Sequence, residues 1–245
     1  MNSPKRLARI AGVLYLLVGI LGGFAVGVAL TMYVPGDAAA TTENVVANAG
    51  LVRLAVVSDL VNQAILVTLA LTLYSLLQHV HRGAARAMVV LAALAAAICS
   101  LNAVFMFEGL QVATGAVNLS SFGTEDSNAI VLLLLDTQHY GYLIGQVFFG
   151  LWLVPLGYLA HRSGWFPKAL AVLLVVAAAC YLADLGTAFL VPDFNQLIHS
   201  FIVIPCLIAE IWMVGYLLAV GVKNRKSDEK IDRGVQPDEH VLAPA

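Results

Sequence analysis

Residues 5–34 read KRLARIAGVLYLLVGILGGFAVGVALTMYV. Three cations, Lys5, Arg6 and Arg9, are followed by a run that carries no charge as far as Val34. A helix needs about 20 apolar residues to cross the hydrocarbon core of a bilayer, so this run spans with turns to spare. It is also longer than the roughly 7–15 apolar residues of a secretory signal. Ala38, Ala39 and Ala40 resemble a small-residue cleavage site, yet the length reads as an uncleaved anchor.

Five more apolar stretches follow, and the spans are expected near 8–34, 51–79, 86–113, 138–161, 168–191 and 195–222. Of the 13 Lys and Arg residues, all except Arg53 fall before the first stretch, in every second gap, or after the last. Arg82 and Arg86 divide the second from the third, Arg162 and Lys168 the fourth from the fifth, and Lys223, Arg225, Lys226, Lys230 and Arg233 follow the sixth. The other gaps carry acids: Asp37 and Glu43, Glu125 and Asp126, then Asp193. Positively charged loops stay on the cytoplasmic side, so the alternation predicts an all-α bundle of six transmembrane helices with both termini inside.

Composition agrees. Hydrophobic residues make up 60% of the chain and charged residues 11%, less than half the charge of an ordinary soluble domain. A net charge of −2 gives no reason to expect a nucleic-acid partner. Cys99, Cys180 and Cys206 lie inside apolar stretches without paired spacing, and read as small buried hydrophobes. Nothing in the chain calls for a cofactor. The tail 223–245 is charged, lacks aromatic residues and is expected to be disordered on the cytoplasmic side.

The second outer gap, 114–137, is the longest. Ser120, Ser121, Gly123 and Thr124 form a breaker cluster, after which Ala129 to Leu135 is apolar again. That piece reads as an interfacial helix, a re-entrant segment or an outward extension of the fourth span. Asn118-Leu119-Ser120 matches a glycosylation sequon and carries no weight.

Small residues mark faces where helix backbones approach closely. Gly19, Gly23 and Gly27 recur every four residues, with Gly12 on the same side, and Gly141 and Gly145 do so in the fourth span. Such a face serves either packing within the monomer or a homo-oligomer seam. Pro155 and Pro205 interrupt the fourth and sixth spans and withhold helical hydrogen bonds there.

Ionisable side chains inside a bilayer are costly and need a partner or water. Asp59 shares a face with Asn62 and Gln63; His139 with Gln146; Asp184 with Tyr181, Cys180 and Thr187; and Glu210 with Cys206, His199 and Asn195. At about 1.5 Å rise per residue, Asp59, His139, Asp184 and His199 fall in the outer half and Glu210 near the midplane. These five are the candidate lining of one outward-facing polar cavity, to which only the first span offers no polar group. Asn62, Gln63, Asn102 and Gln111 read as helix-association groups. Two histidines with carboxylates also suit a divalent metal, though no HExxH spacing is present. Tyr33, Tyr158 and Trp165 read as interface anchors, and Trp152 is expected near a span end or lipid-facing turn.

Phe148-Phe149-Gly150-Leu151, then Gly157-Tyr158-Leu159 and Arg162-Ser163-Gly164 with Pro167, form an ordered set of short motifs. With Arg9-Ile10-Ala11-Gly12 and Ala209-Glu210, they resemble the bacterial domain-of-unknown-function 4386 family over about residues 5–223. The departure is Ala169-Leu170, where the family pattern has Leu-Gly. The resemblance implies a six-span protein of the bacterial cytoplasmic membrane and no activity. Three functions stay open: uptake of a small solute or proton through the cavity, an intramembrane enzyme with or without a metal, and a scaffold or sensor subunit.

Overall fold

The computed structural model describes residues 4–117 and 123–222. The charged tail, the sequon at Asn118 and Ser120 and Ser121 of the breaker cluster lie outside the described residues. Eight helices occur among those described: α1 (Pro4–Met32), α2 (Ala38–Ala47), α3 (Ala49–Leu77), α4 (Arg82–Ala113), α5 (Gly123–Leu151), α6 (Leu153–Ser163), α7 (Lys168–Leu190) and α8 (Pro192–Ala219). Helices α5 and α6 run on through Trp152 as one span from 123 to 163, so six helices are long and apolar enough to cross a membrane.

Two features depart from the sequence reading or complete it. The first outer loop contains a helix, α2, started by Asp37, whose carboxylate accepts the Ala40 N–H at 2.9 Å. The segment Ala129 to Leu135 belongs to α5, so the fourth span extends outward by several turns.

The spans form a ring in chain order, α1–α3–α4–α5/α6–α7–α8, closed by contact of α8 with α1. Both described ends lie on one side, where a Cβ at Gly221 would meet Lys5 O at 3.6 Å and Ala8 Cβ at 3.7 Å. We call this end proximal and the other distal. Arg82 and Arg86, at the start of α4, Arg162, at the end of α6, and Lys168, at the start of α7, are proximal too.

The proximal half is packed solid. Tyr15 and Val18 of α1, Leu69 and Leu73 of α3, Met88 of α4, Leu153, Leu156 and Leu159 of α6, Leu170 and Leu174 of α7, and Met213 and Leu217 of α8 meet there. Trp152 is 0% exposed at the centre of this cluster. The expectation of a span-end or lipid-facing tryptophan is thus overturned: the α5/α6 junction turns its ring inward, against Tyr15 at 5.8 Å. Close approach of α7 requires glycine twice on one face. A Cβ at Gly150 would lie 2.7 Å from Tyr181 Cβ, and one at Gly157 2.8 Å from Ala171 O.

A separate distal cluster joins α1 to α5 through Val28, Met32, Val45, Val52, Met106, Leu110, Val131 and Leu135. It includes no residue of α7 or α8. Outward faces carry large apolar side chains, such as Leu54 at 63% and Leu101 at 71% exposure, a surface suited to lipid tails rather than water.

Candidate functional site

Between α1, α3, α4 and α5, in the distal half, lies a cavity of about 50 Å³. A buried water needs roughly 10–15 Å³ of such volume, so it holds about three or four waters or a comparably small solute. Asp59 and His139 both line it, together with Tyr33, Gln138 and Tyr142. Asp59 accepts a hydrogen bond from Gln63 Nε2 at 2.6 Å, one turn along α3. His139 stacks on Tyr33 with ring centroids 5.4 Å apart and planes at 25°. The Tyr33 hydroxyl donates to Asp136 one turn earlier on α5.

Tyr33 thus has partners on α5 as well as a place at the span end. It reaches across the distal rim from the end of α1, because a short acceptor on α5 stands within reach of its phenol. With Tyr15 it also corrects the expectation that the first span offers nothing polar.

The remaining candidates form two more groups. Asp184 is 4% exposed and accepts from His199 Nδ1 at 2.8 Å and Asn195 Nδ2 at 2.9 Å. Asn195 also donates to Thr187 Oγ1 at 2.8 Å. Glu210 accepts from the Tyr181 hydroxyl at 2.8 Å, across from α7.

Electrostatics link the groups. Tyr142 stands within electrostatic reach of both Asp59 and Glu210, and His139 within reach of His199. Tyr15 of α1 is within electrostatic reach of Glu210 too. Tyr142 was not among the sequence candidates. It falls three residues after His139 and four before Gln146, on the same helix face, and that spacing was the available signal.

Of the groups read as serving helix association, Asn102 bonds across helices, while Gln63 bonds Asp59 within α3. Asn62 and Gln63 are buried at 7% and 6%, and Asn102 at 5%. Asn102 Nδ2 donates to Gln138 O at 2.7 Å, tying α4 to α5. Gly141 gives Asn102 its room and Gly145 does the same for Cys99, where a Cβ would lie 2.6 Å from Sγ. Their face therefore packs within the monomer. Among the described residues no group of three or more His, Cys, Asp or Glu is placed to hold a metal ion, so the sequence-level metal idea finds no ligand set here.

The family described as a domain of unknown function (DUF4386) matches residues 10–221. No curated protein and no solved structure matches the chain.

Proposed function

This chain belongs to the DUF4386 family of unknown function, and we propose that it admits a proton or a small polar solute to a cavity in the distal half of its six-span bundle. The observation that carries this reading is the shared lining of one water-sized cavity by Asp59 and His139, with Tyr142 within reach of Asp59 and Glu210. Carboxylates within a membrane span need a partner or water, and Asp59 has both Gln63 and the cavity beside it. The small volume favours a proton, with water as its carrier, over any larger solute.

Lys5, Arg6, Arg9, Arg82, Arg86, Arg162 and Lys168 lie at the proximal end. The positive-inside rule then assigns that end to the cytoplasm and the cavity to the outer side of a bacterial cytoplasmic membrane. Loading occurs from outside, because the cavity lies in the distal half of the bundle. Release to the cytoplasm requires the bundle to move.

The test is proton flux into vesicles carrying the purified protein and an enclosed pH-sensitive dye. Asp59→Asn and Glu210→Gln should each bring flux to background while helicity and elution volume stay those of the native protein. Tyr142→Phe should slow flux without abolishing it. Native flux that survives both carboxylate substitutions refutes the proposal.

A further inference from the structure

Helix α8 is packed along only half of its length. From Cys206 onward it buries Cys206, Ala209, Met213, Tyr216 and Leu217, whereas Pro192 to Pro205 includes no buried residue. Leu197 and Phe201 in that distal arm are each 73% exposed. The boundary falls at Pro205, whose nitrogen has no hydrogen to give to the Phe201 carbonyl, and a helix lacking that bond bends there.

Helix α1 shows the matching division. Gly12 is pressed against α8, since a Cβ there would stand 3.0 Å from both Leu217 and Leu218. Further along the same face, Gly19, Gly23 and Gly27 have nothing within 4 Å. The glycine face of α1 is thus filled by α8 at the proximal end and open beyond it. Glu210, one turn beyond Cys206 on the packed side of Pro205, is bonded to Tyr181 of α7. Helix α7 holds the arm through the bonds of Asn195 and His199 to Asp184.

We infer that residues 192–204 of α8 form a gate that turns about Pro205 and closes on the glycine face of α1. The landing surface continues an existing contact rather than creating a new one. The helices are antiparallel, so fifteen residues outward from Gly12 and from Leu218 pair Gly27 with Val203. Glycines at the landing points let the backbones approach without displacing side chains. Two packings of one helix that differ by a few kcal/mol make such a switch workable. The gate stands independently of whether a proton or a solute passes it.

The experiment is disulfide trapping in lipid vesicles. In protein with Cys99, Cys180 and Cys206 replaced by alanine, Gly27→Cys and Val203→Cys are introduced together and oxidised mildly. A disulfide needs Cα atoms within about 7 Å, so only a closed arm gives the fast-migrating, reducible intramolecular band. Pro205→Ala, which restores the helical bond, should slow its formation at least about fivefold, equivalent to about 1 kcal/mol against bending. A reference pair already in contact, Gly12→Cys with Leu217→Cys, should form equally fast with either residue at 205. Absence of the Gly27–Val203 bond while the reference pair forms overturns the gate, as does an unchanged rate in Pro205→Ala. A dimer band from Gly27→Cys alone assigns the face to a second copy of the chain and overturns it as well.

Discussion

Gly141→Ala should break the seam between α4 and α5, and only while Asn102 is present. The added Cβ falls on Asn102 Oδ1, with Cγ 2.8 Å away. Asn102 is 5% exposed and cannot swing into solvent. It must leave its rotamer and give up its 2.7 Å bond to the Gln138 carbonyl. An interhelical bond of this kind is worth about 0.6–1.7 kcal/mol, and an amide left buried without a partner costs about 1–3 kcal/mol. Alanine returns about 1 kcal/mol of helix propensity. The net loss is about 1–3 kcal/mol.

Asn102→Ala alone should cost about 1 kcal/mol, because the Gln138 carbonyl keeps its helical donor. In that background the alanine at 141 no longer meets Asn102. The double variant should therefore be no less stable than Asn102→Ala, a coupling of about 2 kcal/mol. The assay is reversible unfolding of all four forms in mixed micelles titrated with SDS. Effects that add within about 0.5 kcal/mol would refute the assigned contact, and with it the view that glycine at 141 exists to admit Asn102.

Two further outcomes follow from the packing. Gly157→Ala should cost about 1–3 kcal/mol, since its Cβ would stand 2.8 Å from the rigid Ala171 carbonyl; Gly19→Ala meets nothing within 4 Å and should be neutral or gain up to about 1 kcal/mol in the same titration. Tyr33→Phe keeps the stack on His139 but loses the bond to Asp136, so the rim between α1 and α5 should loosen by about 1 kcal/mol; labelling of Ala29→Cys by a water-soluble maleimide should then speed up about fivefold.

The candidate site was partly legible before the fold was known. Asp59, His139, Asp184, His199 and Glu210 stand out in sequence because each is ionisable within an apolar run. Their partners did not stand out. Tyr33 read as an interface anchor and Trp152 as a span-end or lipid-facing ring, since nothing local distinguishes an aromatic ring that faces lipid from one that faces inward. Tyr142 looks like any tyrosine within a span until its neighbours on other helices are known. The glycines divide in the same way: identical four-residue spacing packs Gly141 and Gly145 against α4 and leaves Gly19, Gly23 and Gly27 open.

The chain by itself determined six membrane-crossing helices. A bilayer forces each span to satisfy its own backbone hydrogen bonds and to present apolar side chains, and length and hydropathy record both locally. Tertiary structure decided the rest. Which helices adjoin, how each is rotated, and where the glycine face of α1 is left open depend on contacts between residues far apart in the chain. That is why the sequence could name the five ionisable groups, while only the packed bundle could show Asp59 and His139 lining one cavity, His199 bound to Asp184, and Glu210 bound to Tyr181.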